Sequence, residues 1–295
     1  MSTCEEFTCR ALEPVLERHR GNAIFERALD HTESAKDLLW VLHRYIQFNA
    51  VFGGGVASLA GRIAVRQALF RDPEDGIAAL ADRAAEVAST IFYAAIDEFG
   101  DPTKVHRVTH RTMAQVTLRA VAQFFGYGPS DLNALLRPDA ATQIAVAGVL
   151  RGYGVERAMD DSQIFRAIGF HIGSELLADQ EFCILDGFLR ERHPKMVRWL
   201  EQTALQFGDA RVCAYTWVAC HTTVEAEHRD AGFTGASRAL RCAPEGSATR
   251  LRECIVEGFA AFSEVQSEFM RSLAVAPASN DTVLQEKVSS ASVRL

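Results

Sequence analysis

A chain of 295 residues, 48% hydrophobic and 23% charged, has enough apolar content to bury a sizeable core in one large domain or two small ones, which excludes global disorder. Its net charge of −7, with no Lys/Arg-rich block, makes nucleic acid and anionic membrane poor partners. The opening residues lack the basic-then-apolar pattern of a secretory signal, and the longest clean apolar run, 144–150, is far short of the roughly 18 residues of a membrane span; a soluble, cytoplasmic protein is expected.

The seven cysteines (Cys4, Cys9, Cys183, Cys213, Cys220, Cys242 and Cys254) are odd in number and show no Cys-x-x-Cys spacing. Idle or buried thiols fit better than a disulfide framework or a zinc knuckle.

Nearly every segment between turn signals has helical spacing and no convincing alternating strand appears, so the expected fold is all-α in a single domain. Short helices over 5–20 and 24–29 form a lead-in, residues 1–33. Ser34, with Asp37 nearby, is an expected N-cap for a long helix through Leu38, Leu39, Leu42, Tyr45 and Ile46. Gly53-Gly54-Gly55 interrupts that pattern before 56–70 resumes. Glycine inside a helix costs about 1 kcal/mol, so the triplet marks either a close backbone approach or kink beside a pocket, or a plain break between two helices.

Asp72-Pro73 opens a further helix that ends at Asp97-Glu98-Phe99-Gly100, and Asp101-Pro102 restarts one over 103–125. Helices over 130–136 and 139–150 follow. Asp160 or Asp161 opens a long one through Phe165, His171, Phe182 and Leu185 to just before Pro194. Three more are expected over 195–207, 211–236 and 246–273. The last is amphipathic, and its phenylalanines bury either against the domain itself or against a second subunit in a homodimer. The main helical domain is therefore 34–273, and the small and polar residues of 274–295 read as a loose tail.

The densest chemistry lies in 214–231. At about 100° per residue, His221, Glu225 and His228 fall within a stripe roughly 60° wide, whereas Glu227 and Asp230 fall mostly away from it. Two imidazoles and a carboxylate projecting to one point suit iron, manganese or zinc. Alone, the stripe is equally a solvated face or a core histidine paired with a glutamate. Glu225-Ala226-Glu227-His228 matches once the Glu-x-x-His spacing of carboxylate-bridged diiron bundles. No second Glu-x-x-His occurs, which argues against a ferritin-like arrangement.

Other helices offer partners. Glu175 stands among apolar and small neighbours, where a carboxylate needs a cation, a donor or a proton. Its helix also carries His171, which is either a donor to it or a simple core histidine. Glu98 ends a helix before Gly100, and His106 and His110 follow in the next. Met113 three residues after His110 favours an inward-facing His110, with His106 the alternative.

These elements together resemble the haem-oxygenase-like diiron oxidases and oxygenases, whose fold is shared with haem oxygenase, thiaminase II and the pyrroloquinoline-quinone synthase. That family's pattern is a Glu before a Gly-containing kink, a His opening the next helix, a lone Glu on a later helix, and then His-x-x-x-Asp/Glu-x-x-His. His221, Glu225 and His228 match the last element in full, Glu175 resembles the lone Glu, and Glu98 with His110 resembles the first pair at a longer spacing. The resemblance covers roughly 34–269. It implies a haem-oxygenase-like helical bundle holding two Fe(II) ions, with manganese as an option. Glu98, His110 and His221 would hold one ion and Glu175, Glu225 and His228 the other, with O2 as co-substrate and a bridging peroxide as oxidant. The implied reactions are N-oxygenation, oxidative C–C cleavage or decarboxylation, or desaturation of an amino-acid-like or fatty-acid-like small molecule.

A substrate with an apolar portion would be lined by 45–55 and the 165–172 face, with Gln47, Asn49 and Arg166 orienting a polar head. Other functions on such a chain are a metal-free or hydrolytic enzyme using Cys213 or Cys220, haem binding through His19 or His31, and a non-enzymatic metal- or partner-binding protein.

Overall fold

Side-chain caps set several helix starts where the sequence places them. The Ser34 hydroxyl accepts from the Asp37 amide at 3.2 Å while the Ser34 amide donates back to the Asp37 carboxylate at 3.0 Å. Asp160 and Gln163 repeat that reciprocal pair, and Asp139 caps the helix that follows it. The computed structural model describes residues 6–71, 80–100, 108–137 and 139–274, and of residues 80–82, 97 and 223–226 only the course of the backbone.

Twelve α-helices lie within the described residues. They are α1 (Glu13–Leu16), α2 (Gly21–Asp30), α3 (Ala35–Asn49), α4 (Phe52–Ala64), α5 (Leu80–Glu98), α6 (His110–Phe124), α7 (Pro129–Leu135), α8 (Ala140–Gly152), α9 (Asp161–Arg192), α10 (Pro194–Gln202), α11 (Thr216–Arg241) and α12 (Ala248–Leu273). A 3-10 turn, Cys9–Leu12, precedes them, and one antiparallel hairpin, β1 (Ala204–Phe207) with β2 (Ala210–Cys213), joins α10 to α11. The fold is all-α in a single domain.

The long helix α9 is the spine, packed between α11 and α12, with α5 laid against α4 and α11. The crossing of α9 and α12 is backbone on backbone. A Cβ at Gly169 would lie 1.8 Å from the Ile255 carbonyl oxygen, and one at Gly258 would lie 1.8 Å from that of Arg166. Any larger residue at either position would force these two helices apart. The phenylalanines of α12 (Phe259, Phe262 and Phe269) are buried within the domain itself. So are Phe7, Leu12 and Phe25 of the lead-in, and α2 packs on α12. No helix among the described residues is long and apolar enough to cross a membrane.

Three expectations need correction. The segment 204–213 is a hairpin rather than helix, turning at Gly208-Asp209, where Gly208 has φ +58°. Alternating burial is too weak in four-residue strands to reveal it, and the Gly-Asp pair is the only local signal. Consequently α11 begins at Thr216, not 211. Val108 and Thr109 are not helical; α6 starts at His110, capped by the Thr109 hydroxyl accepting from the Thr112 amide at 3.1 Å. Finally, the Gly53-Gly54-Gly55 triplet is not itself the break: the chain turns at Ala50-Val51 and the glycines lie inside α4. The expected helix start at Asp72-Pro73, the restart at Asp101-Pro102 and the tail beyond 274 lie outside the described residues.

Candidate functional site

Helices α5, α6, α9 and α11 converge on one buried polar cluster. The capping by Thr109 puts His110 in the first turn of α6, where it is buried and its Nδ1 lies 3.1 Å from Glu98 Oε1 at the end of α5. His221 from α11 meets this pair, with the His110 and His221 ring centroids 4.5 Å apart. One ligand atom from each of Glu98, His110 and His221 lies within 4.8 Å of the other two. Two metal–ligand bonds of about 2.1 Å separate their ligands by at most about 4.2 Å. Ligands at right angles lie about 3 Å apart, so the triad would draw inward to close around an ion.

The surroundings orient these groups. His221 donates from Nδ1 to the Trp217 carbonyl at 2.6 Å, one turn back on α11, which leaves the lone pair on Nε2. Phe182 stacks on the ring at 4.0 Å and 15°, fixing its plane. Burial pushes His221 well below the ordinary imidazole range, and the neighbouring His110 adds to the effect; the neutral ring is the form that binds a metal. Glu98 is held by Gly53, since a Cβ there would lie 2.7 Å from Glu98 Cβ. The glycine triplet therefore marks a close backbone approach beside the cavity, and the helix break comes before it.

Glu175 forms a second group. Its Oε1 lies 3.3 Å from His171 Nδ1 and its Oε2 lies 3.5 Å from His228 Nδ1. Burial alone would raise this carboxyl, but the hydrogen bonds and charges of His171 and His228 outweigh it and hold Glu175 well below the ordinary carboxylate range. His171 Nε2 is buried and, among the described residues, without a partner, which favours the tautomer whose Nδ1–H donates to Glu175. Tyr153 supports the same corner through Ser174 at 2.8 Å.

The two groups share a cavity whose walls include Glu98, Glu175, His221 and His228. It encloses about 490 Å3 of space including its open mouth. The remaining walls are largely apolar, including Phe48, Phe52, Val56, Phe182 and Phe262.

Among the residues singled out by sequence, Glu98, His110 and His221 come together, as do Glu175, His171 and His228. The Glu225 side chain and His106 lie outside what is described. Glu227 and Asp230 face away from the cluster, Glu227 being exposed and receiving the Tyr93 hydroxyl at 3.1 Å. The expected lining needs correction in one part. Phe48, Asn49 and Phe52 line the cavity as expected, but α9 contributes 174–182 in place of the 165–172 face. Gln47 instead meets His43 at 2.8 Å, and Arg166 is exposed on Glu257. Neither Cys213 nor Cys220 lines the cavity.

Sequence reasoning missed Glu181, and placed its partner Tyr45 only within the expected pocket lining. Glu181 lines the cavity, is 2% exposed, and accepts the Tyr45 hydroxyl at 2.8 Å and the Gln266 side-chain amide. A signal existed. Leu177, Glu181, Leu185 and Phe188 fall on one stripe of α9, and a single carboxylate interrupts it. Burial raises Glu181 to about 7, with the donors Gln266 and Tyr45 opposing the shift. No protein-family profile matches the chain, and no curated protein matches its sequence.

Proposed function

We propose that this protein is an O2-dependent non-haem diiron oxidase or oxygenase of the haem-oxygenase-like type, acting on a small molecule. One observation carries the reading: Glu98, His110 and His221 present ligand atoms within 4.8 Å of one another, and Glu98 and His221 line a cavity with Glu175 and His228. The donor set fits iron or manganese, with neutral imidazoles and carboxylates in a mostly apolar enclosure. Glu98, His110 and His221 would hold one ion, and Glu175, Glu225 and His228 the other. When bound, the pair of ferrous ions supplies the electrons that activate dioxygen.

The chain's own contribution is orientation and exclusion. The Trp217 carbonyl and the Phe182 ring hold His221 in one tautomer and one plane, which leaves the lone pair of Nε2 to meet an ion. Gly53 lets α4 press on Glu98 and keep its carboxylate in the cavity. The walls from Phe48, Phe52 and Phe262 keep water from the reacting atoms. His171 and Ser174 hold Glu175, with Ser174 Oγ 3.3 Å from Oε1.

The test is metal analysis after anaerobic loading with ferrous iron, followed by an optical spectrum on exposure to oxygen. Two irons per chain and a transient visible band are expected. His221→Ala and Glu175→Ala should each lower iron stoichiometry while leaving the far-UV spectrum of a folded helical protein. A folded wild-type chain that takes up no iron would refute the reading, and so would two variants that load normally.

A further inference from the structure

Glu181 is absorbed by neither half of the metal cluster. It projects into the same cavity from α9, six residues beyond Glu175, a rise of about 9 Å along the helix axis. Tyr45 and Gln266 each donate one hydrogen bond to it. A carboxylate has about four acceptor positions, so two donors leave capacity for a third partner. Among the described residues lining the cavity there is no lysine or arginine, so away from the metal ligands no cationic side chain would pair a bound carboxylate or phosphate. The apolar wall is instead made of phenylalanines (Phe48, Phe52, Phe182 and Phe262), whose ring faces attract cations.

We infer that Glu181 is the specificity residue of this cavity and seats a cationic nitrogen of the substrate, so that the substrate is an amine whose ammonium lies several bonds away from the atom that reacts. The inference rests on the oxygenase reading for where that reacting atom lies, at the end of the cavity formed by Glu98, Glu175 and His221. It separates two substrate classes that the ligand set alone leaves equal, because an ammonium at the Glu181 end pairs with the carboxylate, whereas a fatty-acid carboxylate there would meet no cationic side chain. Tyr45 positions the Glu181 carboxylate from α3, and Gln266 holds it from α12. The ammonium takes the vacant acceptor positions and keeps Glu181 ionised, and the carbon chain lies along the phenylalanines.

The test uses the full chain loaded anaerobically with ferrous iron and three probes of equal length: n-butylamine, butyrate and n-butanol. Binding is read by calorimetry and by thermal shift. Butylamine should bind at least tenfold tighter than butyrate or butanol. Glu181→Gln should lose that tenfold preference while its iron content stays at the wild-type level, and Tyr45→Phe should reduce the preference partially. The inference is overturned if butylamine does not bind, if butyrate binds as well, or if Glu181→Gln keeps the preference. Iron content of Glu98→Ala scores the metal reading separately. Normal loading of that variant counts against the metal centre alone, whereas lost loading together with absent amine preference counts against Glu181 alone.

Discussion

Replacing Glu181 by glutamine removes a buried carboxyl that burial pushes upward, and its effect on stability is calculable. The group moves from 4.5 to about 7 on folding. Below pH 4.5 both the folded and the unfolded chain carry the proton, so the shift contributes nothing. Between pH 4.5 and 7 the unfolded chain gives up its proton and the folded chain keeps it, so wild-type stability falls by about 1.4 kcal/mol per pH unit. Above pH 7 the loss levels off at about 3 kcal/mol. Glutamine never ionises and escapes this loss. Its oxygen still accepts from Tyr45, and its amide gains an acceptor if Gln266 flips to present Oε1, which is buried and unpartnered among the described residues, at the cost of the Gln266–Asn22 bond. Urea unfolding of both proteins at pH 5, 6, 7 and 8, with a chelator present so that metal occupancy is constant, gives the difference directly. The variant should gain on the wild type by about 2 to 3 kcal/mol between pH 5 and 8, most of it below pH 7. A difference that stays flat across that range, or that runs the other way, refutes the reasoning.

Gly53→Ala places a methyl 2.7 Å from Glu98 Cβ, so we expect a loss of about 1 to 3 kcal/mol by urea unfolding together with reduced iron binding, because Glu98 must move. Glu227→Ala is the control for the His221 and Glu175 variants: the residue shares α11 with the histidines but is exposed, and iron stoichiometry should match wild type. Arg44→Ala should destabilise the fold by about 3 kcal/mol without changing the wild-type iron content. Arg44 is 4% exposed, lies 4.2 Å above the Trp40 ring, and bonds Asp139, Thr142 and the Ser272 carbonyl, tying α3, α8 and α12 together. The lower end of the range for a broken buried pair applies because Asp139 remains 31% exposed and water can take it over.

Legibility of this chain from sequence followed the distance over which each signal acts. Caps and breaks are local, so Ser34, Asp139 and Asp160 marked helix starts that the structure repeats. The stripe on α11 is local too: the 3.6-residue period predicts that His221 and His228 turn inward and Glu227 outward, and they do. Met113, one turn beyond His110, carried the same argument to an inward-facing His110, and that side chain is buried. What failed was weakly periodic or non-local. The four-residue strands at 204–213 are too short for alternation to separate them from a helical pattern. The purpose of Gly53 depends on Glu98, which is 45 residues away.

Glu181 shows the limit most clearly. Its spacing from Glu175 matches no metal-binding pattern, and a carboxylate two residues after Asp179 in ADQEF reads as part of an exposed helix face. Its meaning comes from Tyr45, 136 residues earlier, and Gln266, 85 residues later, which bring two donors to a carboxylate that α9 drives into the cavity. A pattern search built on ligand spacing finds groups that act on a metal together. It does not find a buried carboxylate such as Glu181, because that group's partners are chosen by packing between helices. The break in the Leu177–Leu185 stripe is the trace such a residue leaves in sequence, and other helices lining buried cavities should be searched for it.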